Sequence, residues 1–111
     1  MEDRVEPETS VMACAVAQIG EKWALLILWE AMRGTTRFDD FHRKLGVARN
    51  ILSNRLSKLV ADGVLVKVPS VAGGRRKEYR LTTRGHALRP ALVALSGWGE
   101  CLGVVATPTR H

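Results

Sequence analysis

Apolar residues recur at helical spacing in five stretches of the chain and form strand-like runs in two more. Val11, Met12, Ala15, Val16 and Ile19 make one face of a first helix, with Ser10 as its cap and Gly20 as its stop. Glu21 to Met32, closed by Gly34, carries Trp23, Leu25, Leu26, Ile27, Leu28 and Trp29 and is apolar almost all round. That pattern predicts a central core helix whose tryptophans pack. After a short extended link at Thr35, Thr36 and Arg37, Phe38 to Leu45 predicts a third helix, with Phe41 and Leu45 inward and Asp39 and Asp40 at the positive end of its dipole. A turn at Gly46, Val47 and Ala48 leads into Arg49 to Asp62, where Ile51, Leu52, Leu56, Leu59 and Val60 share a face and Gly63 is a left-handed stop. Val64 to Pro69 and Lys77 to Leu81 read as strands joined by a loop from Ser70 to Arg76. A last helix runs from Thr82 or Thr83 to about Val104, with Leu88, Leu92, Val93, Leu95, Trp98, Leu102 and Val105 apolar and Pro90 inside it as a kink.

Two short helices flanking a tight turn, followed by a hairpin with a basic Gly-containing tip, predict a mainly α fold with a small β-hairpin wing (α+β). The architecture is a winged helix-turn-helix. The domain is expected over residues 10–105, between a flexible tail at 1–9 and a second tail at 106–111. In this architecture the second helix of the pair enters the major groove with its N-terminal residues against base edges. Arg49, Asn50, Ser53, Asn54, Ser57 and Lys58 lie between the apolar positions of that helix and are rich in hydrogen-bond donors. A solvated helix face looks the same, so it is the neighbouring elements that favour DNA. Arg43 and Lys44, late in the third helix, suit either phosphate or the helix dipole. Arg75 and Arg76 sit at the loop tip, where arginine suits phosphates and narrow minor grooves.

Charge sharpens this picture. The chain has 111 residues and a formal net charge of +6. Between Arg33 and Arg84 there are 13 Lys or Arg against 4 Asp or Glu, while the remainder holds 4 basic and 7 acidic residues. The excess belongs to the reading head, and it attracts phosphate whatever the sequence. A chain this short forms one domain that buries about two-thirds of its unfolded surface, so association is an expected source of stability. The last helix also carries more apolar surface than one small body covers. The first and last helices are therefore assigned to a homodimer interface through Val11, Val16, Leu92, Leu95, Trp98 and Leu102, the alternative being that they cap the monomer core.

Other chemistries find little support. Cys14 and Cys101 form no CxxC, and His42, His86 and His111 are scattered, so no zinc site is expected. Without a phosphate-binding loop or paired carboxylates the chain is not expected to be an enzyme or to carry a cofactor. The start, Met1-Glu2-Asp3-Arg4, has no signal-type charge and apolar pattern, and no apolar run reaches the ~20 residues of a membrane span. A cytoplasmic protein with thiols reduced at rest and no membrane partner is expected.

Several segments in order carry a family resemblance: Cys14, Gly20 to Leu28, Arg37 to Phe41, Leu52 to Leu56, Asp62 to Leu65, Glu78 to Thr82 and Leu88-Arg89-Pro90. On these the chain resembles the HxlR-type transcriptional regulators, relatives of the MarR group, from Cys14 to about Gly99. The resemblance implies a homodimer that binds a pseudo-palindromic double-stranded operator, usually as a repressor. It also implies DNA contacts from Arg49, Asn50, Ser53, Asn54 and Arg55, with the wing on flanking DNA. The full candidate set adds Arg37, Arg43, Lys58, Arg75, Arg76 and Lys77. Two departures stand out: Ala48-Arg49 replaces the family's Ser-Pro at the start of the reading helix, and Cys14-Ala15 replaces its Cys-Pro. Some family members sense oxidants, quinones or aldehydes through that cysteine. Cys14, close to a helix start that favours thiolate, fits an electrophile-responsive sensor; a small packed core cysteine is the other reading. Cys101 is expected in packing or the interface. A small-molecule effector is a further candidate partner. The competing function is a non-specific architectural nucleic-acid-binding protein.

Overall fold

Among the described residues, six helices and one hairpin follow in the order expected of a winged helix. The computed structural model describes residues 6–103. The elements are α1 (Pro7–Ile19), α2 (Lys22–Met32), α3 (Phe38–Leu45), α4 (Arg49–Ala61), β1 (Leu65–Pro69), β2 (Lys77–Leu81), α5 (Thr83–His86) and α6 (Arg89–Glu100). Residues 1–5 and 104–111 lie outside the described residues. They include most of the expected N-terminal tail, all of the C-terminal one, and Val104 and Val105.

The core is built where α2, α3 and α4 meet the base of the hairpin. Ile27 and Leu28 of α2, Phe41 of α3, Val47 of the turn, Leu52, Leu56 and Leu59 of α4, and Val64 and Leu65 are all buried. Gly46 takes a left-handed conformation, φ 68°, that ends α3 and turns the chain into α4. The turn is fastened by His42, whose Nδ1 donates to the Val47 carbonyl oxygen at 2.8 Å. Gly63, with φ 80°, supplies the expected stop after α4.

β1 and β2 pair antiparallel with Leu65 opposite Leu81, Lys67 opposite Tyr79 and Pro69 opposite Lys77. The loop closes by a bond from the Ser70 amide to the Arg76 carbonyl at 2.9 Å. The link before α3 runs along the free edge of β2, where the Tyr79 amide donates to the Thr36 carbonyl at 2.7 Å. The wing is thereby tied to the segment that launches the helix-turn-helix.

Four expectations are revised. α1 begins at Pro7 rather than after Ser10, with Glu6 at the cap position and Pro7 to Thr9 forming the first turn. Proline suits that turn because its missing N–H has no helical partner there. α2 is not enclosed all round: Ala24, Ile27 and Leu28 are buried, but Leu26 is 38% exposed and Trp23 and Trp29 are half-buried. Its outer side forms one wall of a groove of about 230 Å³ facing Leu92, Leu95 and Ser96 of α6. The last helix is two helices, not one kinked helix. Thr82 caps α5 by accepting from the Gly85 amide at 3.0 Å, and Pro90 stands in the first turn of α6, starting a helix instead of bending one. Finally, Leu92 is only 6% exposed and belongs to the chain's own core, so it is not part of a free surface.

Candidate nucleic-acid interface

α4 starts at Arg49, as its sequence predicts, even though Ala48 offers no side-chain cap. The apolar stripe of α4 faces α2 and the hairpin, which leaves Arg49, Asn50, Ser53, Asn54, Ser57 and Lys58 exposed on the other side. Arg49 does not extend freely into solvent. Its Nη1 donates to Asp39 Oδ1 at 3.2 Å, and its guanidinium lies 5.5 Å from the centre of the Phe38 ring. The first turns of α3 and α4 are therefore in contact.

The other candidate cations divide by their partners. Lys58 pairs with Asp62 at 3.1 Å, and Arg43 with Asp40 at 3.0 Å. Exposed pairs of this kind are worth about 0–1 kcal/mol, so a phosphate can displace either partner. Lys44, although exposed, donates to Thr35 Oγ1 at 3.0 Å and stands 3.9 Å from Glu30. Arg55 is directed along the protein: its Nε lies 2.9 Å from Glu21 Oε1 and its Nη1 donates to Asn54 Oδ1 at 2.8 Å. Arg37 reaches the wing, donating from Nη2 to Ser70 Oγ at 3.2 Å and standing 3.9 Å from Glu78. For Arg37 and Arg55 these internal contacts replace the free orientation that the sequence suggested.

Glu78 is the residue that pattern reading missed. It is 4% exposed, and the Ser70 hydroxyl donates to its Oε2 at 2.9 Å while Arg80 binds Oε1. The Ser70 hydrogen bond outweighs burial and, with the charges of Arg80 and Arg37, holds this carboxyl below the usual Glu range. Arg37, Ser70, Glu78 and Arg80 together lock the base of the wing to the start of α3. The signal in the sequence was an acid set between cations, Lys77-Glu78-Tyr79-Arg80, in the most basic part of the chain.

Arg75, Arg76 and Lys77 are exposed and make no ion pair among the described residues. A cleft of about 350 Å³ between the wing and α3 is lined by Arg37, Phe38, Asp39, Asp40, Arg76 and Lys77. Arg49 bonds Asp39 of this same first turn of α3. The start of α4, the first turn of α3 and the wing base thus adjoin, with the cations Arg37, Arg49, Arg76 and Lys77 set around the acids Asp39 and Asp40.

Elsewhere, Val11, Val16, Leu95, Trp98 and Leu102 are exposed, Trp98 by 61%. Cys14 is exposed too, which overturns the packed-core reading for this chain. It lines a groove of about 280 Å³ with Gln18, Val64, Arg84 and Leu88. Because α1 starts at Pro7, Cys14 stands more than a turn inside the helix, beyond the helix-terminus field on which the thiolate argument rested. Cys101 is likewise exposed and not packed. Among the described residues no cluster of His, Cys, Asp and Glu could hold a metal ion, and no single helix is long and apolar enough to cross a membrane.

A helix-turn-helix whose wing carries unpaired cations beside an exposed polar helix face defines the DNA-binding winged helix-turn-helix class. Within that class, the HxlR-like helix-turn-helix family matches residues 18–104, and the chain belongs to it. It is 45% identical over 86 residues to a protein of Mycobacterium tuberculosis (strain ATCC 25618 / H37Rv) described as an uncharacterized HTH-type transcriptional regulator. That match covers 78% of this chain and 54% of the relative, so the chain spans about half the length of that protein. The HTH-type transcriptional regulator YvaP of Bacillus subtilis (strain 168) is 33% identical over 85 residues, with 76% of this chain and 79% of the relative covered. Among solved structures, the redox regulator HypR in its reduced form superposes with a TM-score of 0.73 at 27% identity, covering 81% of this chain and 90% of that one. A protein of Enterococcus faecalis V583 assigned to the MarR family of transcriptional regulators gives 0.72 at 32% identity, covering 92% and 93%. The family is one of transcriptional regulators, not of enzymes.

Proposed function

We infer that the chain binds a pseudo-palindromic operator as a homodimer and represses transcription from it. The observation that carries this reading is that cations of α4 and of the wing gather at the first turn of α3: Arg49 bonds Asp39, and Arg76 and Lys77 line the cleft to which Asp39 belongs. A duplex lying against that surface would take α4 into its major groove while the wing meets the backbone or minor groove beside it. Arg49, Asn50, Ser53 and Asn54 are the base-edge candidates. Arg43, Lys58, Arg75, Arg76 and Lys77 supply phosphate contacts, and Arg37 and Arg55 act from behind. The exposed apolar residues of α1 and α6 pair two such heads on one operator, and a dimer seated across a promoter excludes polymerase.

The test is a titration of the protein against its own upstream intergenic DNA and a scrambled duplex at physiological salt. Tight binding confined to the upstream DNA, with loss of run-off transcription, supports the reading. Equal binding to both duplexes assigns the protein to the architectural class.

A response to oxidants through Cys14 is the second part of the proposal, supported by the exposure of its thiol and by the similarity to the redox regulator HypR. Diamide would take up the two electrons and two protons lost when the Cys14 thiols of two subunits join, shifting the spacing of the heads. Release of the upstream DNA by diamide, lost in Cys14→Ser, supports the switch; release that persists in Cys14→Ser removes it.

A further inference from the structure

Arg55 lies in the reading helix, yet its guanidinium points back toward the body of the domain. Its anchor is Glu21, whose Oε1 also accepts the Ala24 amide at 3.0 Å and so caps α2. Partial burial works against ionisation of Glu21. The hydrogen bond from Arg55, those from the Ala24 and Trp23 amides, and the Arg55 charge more than offset it and hold the carboxyl below the usual range. The Arg55 side chain is 29% exposed and is therefore held by a charged, doubly bonded cap rather than waving from the surface. Its second arm ends on Asn54, the exposed neighbour, where Nη1 donates to Oδ1 at 2.8 Å.

An asparagine amide carries an acceptor oxygen and a donor NH2, and which of them faces the DNA decides what it can read. Adenine offers N7 as acceptor and N6 as donor, so an asparagine bound to adenine uses both ends of the amide at once. Guanine offers N7 and O6, and thymine offers O4, all acceptors. In this protein the Asn54 oxygen is engaged by Arg55, so an adenine N6 has to share that oxygen or displace Arg55 from it. The NH2 remains the end available to a base.

We propose that Glu21 and Arg55 are positioning residues that fix the Asn54 amide with its NH2 toward the groove, so that Asn54 selects an acceptor-only base edge and disfavours adenine. This deepens the operator-binding reading above and rests on it. Specificity at one base pair of each half-site is then set partly by Glu21, a residue outside the reading helix. Arg55 reads no base itself; it restricts what its neighbour reads.

The experiment is selection from a randomised duplex library by the full chain, followed by titration of the enriched duplex and its single-base variants across a range of salt. Wild type should enrich one motif with guanine or thymine at a position whose preference disappears in Asn54→Ala. Arg55→Met should admit adenine at that position, lowering discrimination there about tenfold while other positions and the salt slope stay unchanged. Arg55→Lys keeps a charge opposite Glu21 but lacks the second arm, and it should admit adenine in the same way; it guards against a fold defect in the methionine variant. Glu21→Gln, which weakens the anchor, should move the preference in the same direction by less. The same motif with the same discrimination in both Arg55 variants would overturn the proposal, as would a uniform affinity loss with a salt slope reduced by about one, the signature of a phosphate contact. If wild type binds the library but enriches no motif, the sequence-reading function fails, and the positioning role fails with it.

Discussion

Asp39 Oδ1 accepts a hydrogen bond from Arg49 Nη1 at 3.2 Å, so the first residue of the reading helix is held by the helix before it. Both side chains are largely exposed, and such a pair contributes about 1 kcal/mol at most. Its consequence for binding is larger than for folding, because a phosphate or a guanine must compete with Asp39 for Arg49. Asp39→Asn should therefore raise affinity for every duplex by up to about fivefold and steepen the salt dependence by about one phosphate contact. Fluorescence anisotropy at several salt concentrations measures both. Unchanged affinity and slope would mean that Arg49 does not leave Asp39 on binding.

The wing makes a different prediction. Arg75 and Arg76 are exposed and unpaired among the described residues, so removing them costs the fold little. Replacing both by alanine should weaken binding to operator and scrambled DNA alike and flatten the salt slope by up to about two. Affinity that stays unchanged on both duplexes would take the wing out of the interface.

Glu78 links the wing to pH. Its carboxyl is held below the ordinary Glu value in the folded chain, first by the Ser70 hydroxyl and then by Arg80 and Arg37, with burial opposing them. The unfolded chain binds the proton more readily, so the stabilisation is complete above the ordinary Glu range and is lost as pH falls through that range toward the folded value. Thermal melts of Glu78→Gln should therefore lie below wild type at neutral pH, and the gap should narrow as pH is lowered through that range. A gap that is constant with pH would mean that the loss comes from packing and not from the charge.

Much of this architecture was legible because periodicity and turn chemistry agree where burial on one face is strong. Leu52, Leu56 and Leu59 recur at helical spacing, Gly46 and Gly63 stand where left-handed backbone is needed, and Lys77 to Leu81 forms the expected strand. The misreadings arose where one residue type serves two purposes. Pro90 could bend a helix or start one, and only the independent cap at Thr82 and the end of α5 at His86 show which. Gly85 belongs to the same corner: a Cβ there would come within 2.3 Å of the Val64 carbonyl, so α5 sits directly on the base of the hairpin. The internal ion pairs of Arg37 and Arg55 were not legible because their partners, Glu78 and Glu21, are far away in sequence. A linear reading assigns charges to helices and strands but cannot pair them across 34 or 41 positions.

The exposed apolar surface leads to the last prediction. Trp98 and Leu95 on α6, Leu102 just beyond its end, and Val11 and Val16 on α1 are all about half exposed or more, whereas Leu92 on the same α6 is buried against the chain's own core. Fully burying one such side chain is worth about 1.5–3 kcal/mol, so a handful of them on each of two chains is enough to offset the cost of association. Leu95→Glu combined with Trp98→Glu leaves Leu92 in place and puts charges where a second copy would sit. Sedimentation should give a dimer for the wild type and a monomer for this variant, and the wild-type melting temperature should rise with concentration while that of the variant does not. With one head in place of two, affinity for a two-half-site operator should drop by about 10²-fold or more, while binding to a single half-site changes little. A wild type that sediments as a monomer, or a variant that still dimerises, would move the interface away from α6 and require another way of joining the two reading heads.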